Sequence, residues 1–196
     1  MSPATGRAGR AEAERRLETA RRGAELLERK QRILEHTVTR LRGRAAQAQQ
    51  AWEEAARAAA VWLQRSAALD GMERIREAAP GAWARVHLQT AVSMGIEYPA
   101  SAGCELPAFA DQAGSSALVF AARSHAEALR TAAVSAAARR ALELVEADLE
   151  GTRARQRAVE NRWIPRLERT LDQIVRRIEE QEMEETLRLR WAADRS

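Results

Sequence analysis

The sequence has 196 residues, of which 31% are charged, 45% hydrophobic and only 4% aromatic, with a formal net charge of +4. That is enough chain for one ordinary domain, and the dominance of Ala, Leu, Arg and Glu belongs to long helices rather than sheets. The net charge is too small to demand or exclude an acidic partner, and Cys104, the only cysteine, excludes an internal disulfide and suits a reducing cytoplasm.

Residues 1–9 are polar, and the first sixteen residues are Arg-rich without an apolar core, so the start reads as disordered chain and not as a secretory signal. No stretch approaches the roughly 20 apolar residues that span a bilayer. A cytoplasmic protein is expected, working at a membrane from outside it if at all.

Residues 10–70 contain no Pro and only Gly23 and Gly43 as glycines. Apolar residues recur there at spacings of three and four: Leu17, Ala20, Ala24, Leu27, Leu34, Val38, Leu41, Ala45, Ala48, Trp52, Ala55, Ala59, Trp62 and Leu69. Only Gln31 and Ser66 interrupt the series. A heptad seam sustained this long predicts a coiled-coil helix of about 90 Å.

Residues 71–115 change character, with Gly71, Pro80, Gly81, Gly95, Pro99, Gly103, Pro107 and Gly114 acting as breakers. Residues 86–92 alternate loosely, and Ile96 and Tyr98 favour β geometry, so a turn-rich insert with a short strand or β-hairpin is expected.

Residues 116–191 are helical again, with residues 192–196 as a tail. A first stripe runs through Leu118, Ala122, Ala126, Leu129, Ala133, Ala136, Leu142, Val145 and Leu149, and a second through Trp163, Ile164, Leu167, Leu171, Ile174, Val175 and Ile178. Pro165 lies inside the second stripe and removes a backbone hydrogen bond, which predicts a kink near Asn161 or a fresh segment there. Two long helices around one insert must fold back on each other, because neither buries its seam alone. The expected fold class is all-α: a long antiparallel two-helix coiled coil, or helical hairpin, with a short irregular or β-hairpin insert at the middle of the chain.

Chemistry is absent from the pattern. His36, His87 and His125 are scattered without ligands at metal spacing, and Lys30, the only lysine, has no glycine-rich approach of the phosphate-binding kind. No cofactor, metal or catalytic residue is expected. Glu182, Glu184 and Glu185 beside Arg176, Arg177 and Arg188 read as a solvated, ion-paired helix face. The first fifty residues carry eleven Arg and one Lys against six acidic residues. This leaves open an Arg-rich nucleic-acid-binding helix beside a generic coiled-coil scaffold.

Three segments, in order, resemble the D subunit of V/A-type ATPases. Residues 20–30 (Ala-Arg-Arg-Gly-Ala-Glu-Leu-Leu-Glu-Arg-Lys) are similar to its N-terminal pattern of Ala, two basic residues and Gly, then Leu-Leu, then Lys. Residues 94–99 (Met-Gly-Ile-Glu-Tyr-Pro) resemble its Met-Gly-Val/Ile-x-x-Pro segment, and residues 153–171, with Ile164, Pro165 and Leu167, resemble its C-terminal signature. Glu28 and Arg157 depart from the lysine and asparagine usual in the family. The resemblance implies a non-catalytic central rotor shaft that couples ATP hydrolysis or synthesis in a head of catalytic A and B subunits to proton or sodium translocation. The implied partners are the A and B subunits, the F subunit of the central stalk and the C (d) adaptor to the membrane ring, with no nucleic acid and no membrane insertion. The shaft is implied to sit in the cytoplasm, peripheral to the cell membrane. Arg21, Arg22, Lys30, Arg188 and Arg190 are the candidate head contacts; Gly23, Met94, Gly95, Ile164, Pro165 and Leu167 are the motif positions. The insert, residues 86–109, is expected away from the head, near the F protein or the adaptor.

Overall fold

A computed structural model describes residues 6–108 and 114–194. The elements in chain order are α1 (Arg7–Glu77), β1 (Arg85–Ser93), β2 (Ile96–Glu105), α2 (Ser116–Ala158), a π-helical turn (Val159–Trp163) and α3 (Ile164–Ala193). Long helices flanking a central β-hairpin are the fold class that the periodicity predicts. Helix begins at Arg7, inside the segment expected to be disordered, while residues 1–5, 195 and 196 lie outside the described residues, as does Phe109 at the end of the expected insert. By contact, the chain forms two compact units: residues 33–149, and residues 1–32 with 150–196.

In the unit of residues 33–149 the two helices run antiparallel. Arg42 pairs with Glu146 at 2.6 Å, the Ser135 hydroxyl donates to Gln49 Oε1 at 3.1 Å, and the Trp62 and Phe120 rings stack with centroids 4.7 Å apart. Rising numbers on α1 thus meet falling numbers on α2. Leu34, Val38 and Leu41 from α1 and Ala141, Val145 and Leu149 from α2 keep their three-and-four spacing and are buried together. Tyr98 of β2 joins them, with Ala91 and Ile96 packed alongside, so the hairpin adds a third layer over this stretch. Two helices alone have little interior for their surface. The hairpin supplies what they lack.

The hairpin owes its geometry to two local devices. Met94 and Gly95 have φ of 52° and 85°, the double positive pair of a type I′ turn, whose twist matches that of the flanking strands. Pairing runs from Ser93 opposite Ile96 to Arg85 opposite Glu105, with a register shift at Gln89/Thr90 that leaves Ala100 as the extra residue. The strands are nine and ten residues long, longer than the short strand expected. Arg44 reaches the bulge and donates to the Ala100 carbonyl at 2.9 Å, while Arg40 donates to the Tyr98 hydroxyl at 3.3 Å.

At the other end of this unit, helical geometry in α1 is interrupted at Gly71, whose φ of 78° and ψ of 159° are essentially open only to glycine. Asp70 then accepts from the Ser115 amide at 2.9 Å, from the Ser115 hydroxyl, and from Ser66 at 3.2 Å. These bonds hold the Asp70 carboxyl below its ordinary range, the Ser115 hydroxyl contributing most. Ser115 also accepts the Leu118 amide at 3.4 Å, which makes it the N-cap of α2. Ser66, an interruption of the seam in the sequence, is a fully buried seam position whose polarity is used. Leu69, Leu129 and Ala136, expected in the seam, are exposed instead. On α2 the buried positions nearby are Ser135 and Ala137, so the stripe runs one residue to either side of Ala136.

In the unit formed by residues 1–32 and 150–196, Arg7 meets Glu182 at 3.0 Å and Arg21 meets Glu168 at 2.8 Å, again antiparallel. Ala13, Leu17, Ala24 and Thr152 are buried, but no residue of α3 is. The covered positions on the C-terminal side run Thr152, Gln156, Val159 and then Ile164, Leu167, Leu171, Ile174 and Ile178. The step from Val159 to Ile164 is five residues, and the π turn fills it: the Ile164 amide bonds to the Val159 carbonyl, five residues back. Pro165 explains the choice, since its ring would clash with the carbonyl four residues earlier, at Asn161, in a regular α-helix. The consequence corrects the expected second stripe. Trp163, counted there as a seam residue, is turned out and 62% exposed.

Candidate functional site

No group of three or more His, Cys, Asp or Glu among the described residues is placed to hold a metal, and no helix is long and apolar enough to cross a membrane. His87 lies 3.2 Å from Glu105 on the hairpin, His125 Nδ1 lies 2.8 Å from the Ala121 carbonyl, and Cys104 is a half-buried lone thiol. Two of the three acids in the run near the C-terminus are ion-paired: Glu184 with Arg188 at 3.6 Å and Glu182 with Arg7.

The candidate head-contacting residues are not brought together as one site. Arg21 bridges to Glu168 on the neighbouring helix, and Arg22 pairs with Glu18 one turn away. Lys30 is half-buried and engaged within the chain. Arg188 and Arg190 lie on the exposed last turns of α3, where Arg190 has no acidic partner among the described residues. Around them Met183, Leu187, Leu189 and Trp191 are exposed as well.

The motif positions fall into two groups. Met94 and Gly95 make the hairpin turn described above. Gly23, Ile164, Pro165 and Leu167 gather at the π turn, where a groove of ≈ 560 Å³ opens between the helices of the terminal unit. Its apolar wall is Ala20, Leu27, Val159, Trp163 and Leu167, and Arg15 and Arg16 line it too. A side chain at Gly23 would meet nothing within 4 Å, so the glycine leaves the groove wide. Arg15 and Arg16 both bond to Glu12, at 2.8 and 2.9 Å, and these two guanidiniums hold the Glu12 carboxyl below its ordinary range. The Arg10 guanidinium, bonded to Glu14 at 2.8 Å, is pushed up by that contact.

A second apolar groove, of ≈ 500 Å³, lies in the other unit where the hairpin leaves the helices, lined by Leu63, Ile75, Trp83, Leu106, Leu118 and Leu129 among others. Trp83 stands 93% exposed beside it. The heptad count missed both grooves, because it assigned apolar residues to one seam. The signal available for the first was Pro165 set beside an out-of-step Trp163.

Comparison with known proteins covers nearly the whole chain. The family model for the D subunit of ATP synthase matches residues 11–194. The D subunit of the V-type ATP synthase of Anaeromyxobacter dehalogenans (strain 2CP-C) is 31% identical over 195 residues, covering 95% of this chain and 93% of that relative. The chain therefore belongs to the family of ATP synthase D subunits.

Proposed function

We propose that the chain is the central rotor shaft of a rotary V/A-type ATPase, without catalytic residues of its own. It turns inside a head of catalytic A and B subunits and joins, through the F protein of the central stalk and a C (d) adaptor, the membrane ring that moves protons or sodium ions. The observation that carries the reading is the family match across residues 11–194, on a frame in which each unit pairs its helices antiparallel. A torque-bearing shaft needs stiffness along the helix pair and an outer face that does not stick to any one of three equivalent pockets. The surface ion pairs suit that second demand: each contributes little net stability, so partners exchange readily as the shaft turns.

In this reading the exposed end of α3 meets the head. Arg190 is available directly, whereas Arg21, Arg22 and Arg188 exchange an internal carboxylate for one on the head, and Lys30 acts from within the chain. The hairpin, residues 85–105, faces the F protein or the adaptor. The assembly sits on the cytoplasmic face of the membrane, with this chain peripheral to it.

The deciding experiment measures native mass and ATPase activity of the cognate A and B subunits with and without this chain and the F protein. One copy joining a hexameric head, with sustained hydrolysis, supports the shaft. A chain that stays free, or self-associates, returns the protein to the class of coiled-coil scaffolds.

A further inference from the structure

A two-stranded sheet has two edges, and in this hairpin they differ. The two-residue turn closes on a hydrogen-bonded pair, Ser93 with Ile96. Alternation along β1 then turns the N–H and C=O groups of the odd-numbered residues toward β2 and those of the even-numbered residues outward. Val86, Leu88, Thr90 and Val92 therefore present backbone donors and acceptors that have no partner among the described residues. The opposite edge is blunted: Pro99 lacks a donor, and the carbonyl of the bulged Ala100 already accepts from Arg44. The β1 edge has none of these devices. Residues 86–92 (Val-His-Leu-Gln-Thr-Ala-Val) hold no charged residue and no Pro, and the bulge lies on the other strand. Tyr98 fixes β2 to the helices, whereas β1 is exposed on both faces from Arg85 to Thr90. A regular, uncharged, open edge of this kind is a template for a further strand.

We propose that in the free chain this edge pairs with β1 of a second copy, antiparallel about Gln89. Symmetry about Gln89 sets Val86 opposite Val92 of the second copy and Leu88 opposite Thr90 of the second copy. Those four residues are the ones whose backbone groups point outward, so each meets its counterpart in a hydrogen-bonded position. Their side chains share one face, and the apolar stripe runs on across the new boundary. On the other face Gln89 meets its own copy, His87 meets an alanine and Arg85 meets a serine, so no like charges are opposed. A slip of one residue would set outward groups against inward ones and turn the apolar stripe to the wrong side. The strand is thus complementary to itself, as a two-fold interface requires. One strand from each copy makes an interface below the size of a stable dimer, so the pairing is weak and depends on concentration. It does not rest on the shaft reading, since a motor with a single shaft offers no second β1.

The test uses the full chain carrying Cys104→Ser, which removes the native thiol, alone and with Gln89→Cys, Val86→Cys or Leu88→Lys added. Gln89 lies opposite its own copy in a non-hydrogen-bonded pair, with Cα atoms about 4.5 Å apart, within disulfide reach. Val86 lies opposite Val92 and has no thiol to meet. The expected result is a native mass that doubles between about 1 µM and about 100 µM. Under mild oxidation Gln89→Cys gives about tenfold more covalent dimer than Val86→Cys. Leu88→Lys, at an exposed position, stays monomeric with unchanged circular dichroism, because an edge lysine blocks strand addition. A chain that is monomeric throughout the range overturns the proposal and leaves the edge to a strand of another protein. Equal cross-linking of the two cysteine variants overturns it, as does a Leu88→Lys chain that dimerises like its parent, because the contact then lies elsewhere. The shaft reading is tested apart from this, with the chain at about 0.1 µM beside the head, where the pair has dissociated.

Discussion

The two units solve the problem of a two-helix seam differently. Between residues 33 and 149 the hairpin lays Tyr98, Ala91 and Ile96 against the seam, and Leu34, Leu41 and Val145 disappear from solvent. In the terminal unit there is no third layer among the described residues. There Leu27, Leu167, Leu171 and Ile174 are only half-covered, and α3 buries nothing fully. The same heptad pattern therefore yields a core in one unit and a partly wet stripe in the other. Apolar periodicity states which residues want cover; whether they obtain it depends on a third element.

The largest effect expected from this contrast follows removal of the third layer. Tyr98→Ala costs about 3–5 kcal/mol of unfolding free energy, as for other buried aromatic truncations. Leu171→Ala in the terminal unit costs about 1 kcal/mol, since only part of its side chain leaves water. Urea denaturation followed by circular dichroism measures both, and equal losses break the comparison. A smaller effect tests the turn that aims the hairpin. Gly95→Ala places a side chain at a φ of 85° and costs about 1–2 kcal/mol, read as a lowered melting temperature. Smaller again, Tyr98→Phe removes the acceptor for Arg40 and costs about 1 kcal/mol. A neutral result there assigns Tyr98 to packing alone.

The smallest effect is a pH dependence. Asp70 has a folded pKa below its ordinary 3.8, because Ser115 and Ser66 bond to its ionised form and Arg74 adds attraction. Its contribution is present above the unfolded value and is lost as pH falls through the depressed folded value, so the window lies below about pH 4. Asp70→Asn flattens the melting temperature across that acid window relative to wild type. An unchanged acid profile removes Asp70 from the account.

Much of the fold was legible because it depends on period and punctuation. The seam from Leu34 to Leu41, the antiparallel return and the insert between Gly71 and Ser115 all follow from where apolar residues recur and where Gly and Pro stop them. The hairpin was only half legible: Met94-Gly95 is not the Asn-Gly or Asp-Gly that announces a type I′ turn, and a methionine with positive φ leaves no mark in composition. The bulge at Ala100 is a fact of register alone. Pro165 announced a break near Asn161, but Trp163 was misplaced because the sequence does not say that the break adds a residue to the turn and pushes Trp163 off the seam. Leu69 and Leu129 were misplaced because a hydrophobic residue at a seam spacing carries no information about whether anything faces it. The surface was least legible. Arg21 and Arg188 look alike in sequence, yet one bridges two helices and the other pairs within its own turn.

The π turn also sets a rule for anyone recombining this chain with a relative. An α-helix advances about 100° per residue, so a single surplus residue, left uncorrected, would swing every later side chain by that angle. Here the surplus is absorbed between Val159 and Ile164, and α3 is indexed to its own seam rather than to that of α2. A chimaera joined upstream of Val159 or downstream of Ile164 inherits a consistent dial only if its donor carries the same extra residue. Splice across the turn from a donor with an unbroken α-helix, and the terminal arginines and Trp191 point a quarter-turn away from where this sequence puts them.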